Sequence, residues 1–335
     1  MDEKPTDPTM DDVPVRQDEP SNFPIQFRGF GDQQSAEKIA GVVSGIVGSM
    51  KRIIPLDRLD GFTFAADYAG ALLELNRGFE ASAPPTPTVE AFGLGVGMAV
   101  TVARDGLPKK HVVFASWIAE ALAGDDEIAK RYALYIIVHE LAHVAEFGIF
   151  DEAFPDVLLK PHATPFMNYF WPRANPTWDE YFACRMSAGI DAGLFDGYRD
   201  TLISVLEQGD EAIKTGLNSF RETGAYEQAA NTVLDSLSSI MKYSGYLLGH
   251  ADGLEEPPTV VEGELEAKLE AMGLTEWFTT LHQHNRHLFE TSAGWKSLDE
   301  FDVLTASLIK GAALFGVHCH RSEDPDEAFY VQIFA

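Results

Sequence analysis

A histidine–glutamate–x–x–histidine motif lies inside an apolar run from Ile136 to Val144, and it constrains the fold more than any other feature. His139 and His143 are four residues apart, so on a helix both imidazoles lie on one face and can reach the same metal ion. Glu140 is offset by about 100° from His139, so we expect it to act as a base towards a water on that metal instead of as a ligand. The motif predicts a long buried helix that carries a hydrolytic metal site.

The sequence around the motif favours such a helix. Asp125 and Asp126 offer an N-cap and negative charge at its start, and no glycine or proline follows until Gly148. Residues 133–138 are apolar nearly all round, as in a helix at the centre of a domain. The alternative is a metal-free core helix with two hydrogen-bonded histidines, but burying two imidazoles and a carboxylate together without a metal would be costly.

A catalytic zinc ion needs a third protein ligand beside an open position, and two downstream acids are candidates. Glu146 is one turn beyond the motif, but three residues that span two turns of a straight helix rarely converge on one ion. Glu180 lies on the next predicted helix, which has Asn175 as its N-cap and Pro176 at its first position. We therefore predict that Glu180 is the third ligand.

An alternative role for Glu180 is structural. Thr177 and Glu180 have the spacing of a capping box, in which the glutamate only closes a helix end. Pro176 at the first helical position would place the helix start earlier and leave Glu180 free.

The stretch His-Glu-Leu-Ala-His at 139–143, together with Glu-Tyr-Phe-Ala at 180–183, resembles the gluzincin branch of the zincin metallopeptidases. Small bacterial peptidases with the sequence HELAH are the most similar members. The resemblance extends over about residues 90–195. It implies a zincin-like catalytic domain, with a glutamate ligand supplied by a second helix.

The resemblance also implies roles for individual residues. The residues that would hold Zn²⁺ are His139, His143 and Glu180. Glu140 would be the general base. In thermolysin-like members an aspartate four residues past the ligand glutamate supports a histidine; that position here is Cys184, with Asp179 as the alternative support.

Peptide hydrolysis also needs a donor for the tetrahedral oxyanion. Gluzincins often use a tyrosine or histidine near the metal, and by position Tyr169 and His250 are the candidates here. Two further histidine clusters lack the carboxylate that accompanies the main motif, so neither is a persuasive metal site. Their members are His282, His284 and His287 in one cluster, and His318, Cys319 and His320 in the other.

The hydropathy pattern predicts an α+β fold: a zincin-like catalytic domain with a small antiparallel sheet and the active-site helix, followed by a mainly helical region. Period-two alternation over 95–103 and a second strand at 111–115 predict a hairpin. One side of the first strand carries only Gly, Ala and Thr, so either another backbone approaches it or a helix packs on it. Further predicted helices are 35–50, 66–79, 201–215, 226–248, 263–272, 275–290 and 298–315, and further strands are 61–64 and 328–334.

We divide the chain into three parts. Residues 1–22 are acidic and proline-rich and are predicted to be a disordered tail. Residues 23–200 form the predicted zincin-like metallopeptidase domain. Residues 201–335 form the helical C-terminal region, in which we find no strong motif.

Composition limits the partners and the compartment. The net charge of -27 argues against binding to nucleic acid or to an anionic membrane, both of which need basic patches. The N-terminal sequence lacks a secretory pattern, and the two cysteines, Cys184 and Cys319, exclude a disulfide scaffold. We therefore expect a cytoplasmic protein whose partner is a peptide or protein substrate.

The sequence thus predicts a zinc-dependent peptidase with Glu140 as general base. The alternative is a zincin-fold metal-binding protein with a regulatory or partner-binding role and little proteolytic activity.

Overall fold

The computed structural model describes residues 23–29, 33–81, 83–87, 89–90, 93–160, 164–255, 257–322 and 329–334. The predicted acidic tail, 1–22, lies outside the described residues. The strands are β1 (Ile25–Arg28), β2 (Leu59–Ala65), β3 (Val89–Glu90), β4 (Gly93–Leu94), β5 (Gly97–Arg104), β6 (Leu107–Ala115), β7 (Val317–Arg321) and β8 (Phe329–Ile333). The helices are α1 (Gln33–Met50), α2 (Tyr68–Leu73), α3 (Ser116–Ala123), α4 (Glu127–Ala153), α5 (Pro165–Ala174), α6 (Pro176–Ser187), α7 (Leu194–Thr223), α8 (Tyr226–Asp252), α9 (Gly263–Ala271), α10 (Thr275–Thr291) and α11 (Asp302–Leu314).

The α+β class is confirmed, but the prediction of an antiparallel sheet is wrong for the main sheet. Its strand order is β1-β2-β6-β5, and only the predicted β5–β6 hairpin is antiparallel. Strand β1 pairs in parallel with β2, and β2 in parallel with β6. The physical reason is that helix α1 returns the chain from the end of β1 to the start of β2, a crossover that gives parallel neighbours. A second, two-stranded sheet, β7–β8, is antiparallel.

Helix α4 lies in the core and packs on the main sheet, against β5 and β6. Its predicted cap is present, because the Asp126 carboxylate accepts hydrogen bonds from the backbone N–H groups of Ile128 and Ala129. The helix is long and apolar enough to span a membrane, yet 78% of its most apolar window is buried inside this fold. Here it is a core helix, as the apolar run predicts.

The small-residue side of β5 packs under α4. A Cβ atom added to Gly97 would lie 3.1 Å from Cγ of Glu140 and 2.9 Å from the Phe114 ring. Of the two interpretations of this strand face, packing against a helix is the one that the structure shows. The close approach brings the motif glutamate next to the edge strand.

Helices α6 and α8 lie in backbone contact. Three glycines spaced four residues apart face α6, two on α8 and one at its C-cap, and a Cβ atom at each would lie 2.2 to 2.3 Å from a carbonyl oxygen of α6. The facing pairs are Gly245 with Thr177, Gly249 with Tyr181, and Gly253 with Arg185. Any larger residue would separate the helices, so this glycine face fixes α8 beside the helix that carries Glu180.

Several predicted boundaries differ from the structure. Helix α2 is shorter than predicted because the chain after Leu73 turns to run beside β5, where the Arg77 carbonyl accepts a hydrogen bond from Ala103 N–H. Strand β7 was not predicted. Helix α7 runs across the predicted division at residue 200, and one hydrophobic core extends from α1 to β7. The division into domains remains a prediction.

Candidate active site

Three side chains from two helices lie close together, and we call His139, His143 and Glu180 the ligand cluster. His139 and His143 lie on α4, and Glu180 lies on α6. The Nε2 atoms of the two histidines are 3.2 Å apart, and Glu180 Oε2 is 3.4 Å from His139 Nε2 and 3.6 Å from His143 Nε2. Among the described residues, this is the group of His, Cys, Asp or Glu side chains whose ligand atoms are close enough to share a metal ion.

These distances suit metal ligands better than hydrogen-bond partners. A tetrahedral zinc ion with bonds of about 2.0 to 2.2 Å holds its ligand atoms about 3.3 Å apart. The two distances from Glu180 Oε2 are long for hydrogen bonds, and this oxygen is buried without a hydrogen-bond partner. A cation at the centre of the three atoms would satisfy it, so the residues fit a bound metal ion.

Glu180 is held as an anion. Burial acts to raise the pKa of its carboxyl group, but the adjacent His139 and His143 imidazoles outweigh burial and keep the pKa well below its ordinary value. The capping-box alternative does not describe the structure, because Thr177 is buried within α6 and the Glu180 side chain points to the histidines. Asn175 and Pro176 occupy the predicted start of the helix.

Glu146, the rejected third-ligand candidate, points elsewhere on α4. Its Oε1 accepts a hydrogen bond of 2.9 Å from the indole N–H of Trp178. Glu146 is thus directed to Trp178 and away from the ligand cluster, as its position one turn beyond His143 predicts.

Cys184 lies beside His139, on the side of the ring away from Glu180. Its Sγ lies 3.8 Å from His139 Nδ1, so the sulfur faces the ring nitrogen that is turned away from the ligand cluster. Burial acts to lower the pKa of His139, but the interactions with Cys184 and Glu180 raise it well above its ordinary value. Asp179, the alternative support, instead accepts a hydrogen bond from Asn175 Nδ2 at 2.8 Å.

Glu140 and the ligand cluster line one cavity of about 480 Å³. The edge strand β5 forms the opposite wall, through residues that include Gly97, Met98 and Ala99. Because Val96 C=O accepts a hydrogen bond from Ala115 N–H, the alternation of an antiparallel ladder turns the backbone groups of Gly97 and Ala99 to the free edge of the sheet. The cavity therefore offers a carboxylate, the ligand cluster and strand-forming backbone groups together.

Tyr246 of α8 completes the cavity and was missed in the sequence. Its ring stacks on His139, and burial, with the neighbouring Glu180 carboxylate, raises the pKa of its phenol well above the ordinary value. The phenol is therefore a neutral hydrogen-bond donor at physiological pH. The signal that could have found it is the four-residue spacing of Gly245, Gly249 and Gly253, which predicts a close helix contact next to Tyr246.

The two predicted oxyanion donors lie elsewhere. The Tyr169 hydroxyl donates a hydrogen bond to Asn231 Oδ1, and its ring packs against Phe329. His250 is fully buried behind the site, between Tyr135 and the Tyr198 ring, whose centroid is 5.4 Å away. Neither is among the described residues that line the cavity.

The other histidine clusters have structural partners. His282 Nε2 lies 2.8 Å from the Asp252 carboxylate, and His284 Nδ1 lies 2.9 Å from Ser307 Oγ. His318 and His320 alternate along β7, where their rings pack on Phe334 and Tyr330.

No protein-family model, curated protein or solved structure matches this chain. The resemblance to gluzincins therefore rests on the residues of the site and remains a prediction.

Proposed function

We propose that the protein is a zinc-dependent peptidase of the gluzincin type, with zinc bound by His139, His143 and Glu180. The observation that supports it best is the separation of the three ligand atoms, 3.2, 3.4 and 3.6 Å, which matches the edges of a tetrahedral site. Glu140 lies on the wall of the same cavity. Two imidazoles and a carboxylate are a donor set that suits zinc.

Bound zinc would lower the pKa of a water molecule and polarise the carbonyl of the bond to be cleaved. The protein supplies the proton transfers. Glu140 takes a proton from the attacking water and passes it to the leaving amine. Its carboxylate is buried beside Gly97, where bulk water is largely excluded.

Tyr246 replaces Tyr169 and His250 as our candidate for the oxyanion donor. Its phenol lies beside the ligand glutamate and lines the cavity. Because it stays protonated, it can donate a hydrogen bond to the oxygen that gains negative charge during hydrolysis.

A peptide substrate fits the edge strand. An extended peptide can add to an unpaired stretch of sheet edge by backbone hydrogen bonds, and Gly97, whose backbone groups face that edge, lies in the cavity wall. The Ala99 carbonyl at this edge already accepts a hydrogen bond from Lys110 Nζ. A peptide bound at this edge would lie next to Glu140. This placement favours peptide-bond hydrolysis over action on a small molecule.

We also propose a cytoplasmic location and a peptide or protein partner. A cytoplasmic location is consistent with Cys184 and Cys319, which are both free and buried. The strongly acidic composition supports a partner other than nucleic acid or an anionic membrane.

The test is cleavage of a diverse peptide library by zinc-loaded protein, with Glu140→Gln as the matched control. We expect cleavage by the wild type and its loss in Glu140→Gln, with zinc retained in both proteins. Zinc bound at full occupancy without cleavage of any peptide would instead support the second candidate, a regulatory metal-binding protein.

A further inference from the structure

A second cavity, of about 290 Å³, lies beside the candidate active site. Lys110 and Asp179 line both cavities, so the two meet at these side chains. Strand β5 connects them as well: Gly97 to Ala99 line the first cavity and Thr101 lines the second. A peptide bound at Gly97 beside the ligand cluster therefore lies next to the mouth of the second cavity.

The walls of this cavity combine apolar side chains with polar and charged ones. Phe147, Phe150, Val157 and Leu158 supply apolar contact surface. The acceptors are the Glu146 and Asp179 carboxylates and the side-chain oxygen of Asn175. Asn175 Oδ1 is buried without a hydrogen-bond partner, while its Nδ2 donates to Asp179.

Two lysines line this cavity, Lys110 and Lys160, and both are directed to other groups. Lys110 Nζ donates to the Ala99 carbonyl at 3.2 Å and lies 4.7 Å from the centroid of the Phe147 ring. Lys160 Nζ lies 3.6 Å from Asp156 Oδ1, and among the described side chains no ion pair joins Glu146 or Asp179 to a cation. Burial raises the pKa of Glu146, although the hydrogen bond from Trp178 and the charges of Lys110 and His143 oppose this.

We propose that this cavity binds the side chain of a lysine or arginine of the peptide substrate, an assignment that rests on the proposed peptidase function. The apolar side chains of the wall contact the methylene groups of such a side chain. Glu146, Asp179 and Asn175 Oδ1 accept hydrogen bonds from its ammonium or guanidinium group. The cavity is thus the specificity pocket, and Glu146 and Asp179 determine the preference for a basic substrate side chain.

The experiment uses N-acetyl amino-acid hydroxamates, which chelate zinc and extend their side chain into a neighbouring pocket. Binding of the lysine, norleucine and glutamate compounds to zinc-loaded protein is measured by titration calorimetry. We expect the lysine compound to bind about tenfold tighter than norleucine, which corresponds to one charge-assisted interaction. Glu146→Gln and Asp179→Asn should each reduce that ratio to about threefold or less. Two variants are used so that a folding defect in one does not decide the result.

Glu152→Gln is the matched control, because Glu152 is an exposed acid near the end of α4 that does not line the cavity. It should leave the lysine-to-norleucine ratio unchanged. Equal binding of the lysine and norleucine compounds would overturn the assignment, as would tighter binding of the glutamate compound, which would point to Lys110. A protein that binds neither zinc nor any hydroxamate would overturn the peptidase function, and this pocket with it. Zinc and hydroxamate binding without a lysine preference would overturn the pocket alone.

Discussion

The ring of Tyr246 lies parallel to the ring of His139, with an interplanar angle of 4° and a centroid distance of 6.0 Å. The two residues are more than a hundred positions apart in the chain. Their contact joins the motif helix α4 to α8, a helix of the C-terminal region. The candidate site is therefore built from both halves of the chain.

Tyr246→Phe tests the oxyanion role. The variant keeps the stacking on His139 but loses the hydroxyl donor, so we expect kcat to fall about 10²-fold, with zinc content unchanged. Peptide cleavage by zinc-loaded protein is the measurement. Tyr169→Phe is the control and should retain activity, because its hydroxyl donates to Asn231 outside the cavity. Equal activity of Tyr246→Phe and the wild type would remove Tyr246 from the mechanism.

Gly249→Ala tests the contact between α6 and α8. The added methyl group would lie 2.2 Å from the Tyr181 carbonyl oxygen, so the helices must separate, and we expect a loss of about 2 to 3 kcal/mol in the free energy of unfolding. Urea denaturation provides the measurement. Gly45→Ala on α1 is the control, because nothing lies within 4 Å of its added Cβ. It should raise stability by about 0.5 to 1 kcal/mol through helix propensity. Equal effects of the two substitutions would contradict close packing.

His111 makes stability depend on pH. It is buried between Thr63 and Asp60, and burial lowers the pKa of its imidazole although the hydrogen bond to Asp60 opposes this. At pH values between the folded and unfolded pKa of His111, the ring is neutral in the folded protein and protonated in the unfolded chain. This contribution to stability is therefore present above the unfolded pKa of about 6.5 and is lost as pH falls below it.

The comparison is between wild type and His111→Gln, unfolded by urea at a series of pH values from about 7.5 down to 5. We expect the stability advantage of the wild type to narrow as pH falls. A difference in the free energy of unfolding between wild type and His111→Gln that stays constant or widens as pH falls would show that the imidazole is charged in the folded protein.

The motif helix and the third ligand could be predicted because their signals are local. The spacing of His139 and His143 fixes a shared helix face, and Pro176 fixes the start of the helix that carries Glu180. Tyr246 could not be found in this way, because its place depends on a glycine face that allows backbone contact between two distant segments. The parallel pairing of β1 with β2 was missed for a related reason: alternation gives strand faces but not the direction of neighbouring strands.

Glu140→Gln separates proton transfer from metal binding. The amide cannot accept the proton of the attacking water, so we expect activity to fall at least about 10²-fold while zinc is retained. Metal analysis and peptide cleavage are measured on the same preparation. Loss of zinc from this variant would make Glu140 a ligand, and undiminished cleavage would exclude it as the base.

The central claim is that His139, His143 and Glu180 hold one zinc ion. Zinc content is measured by elemental analysis after loading and exhaustive dialysis, in wild type, His139→Ala, Glu180→Gln and Glu146→Gln. We expect about one zinc per chain in the wild type and in Glu146→Gln, since Glu146 bonds to Trp178 away from the cluster. His139→Ala and Glu180→Gln should bind zinc far more weakly, because each loses a ligand atom or its charge. A wild-type protein without zinc, or zinc retained by Glu180→Gln and lost from Glu146→Gln, would contradict the account.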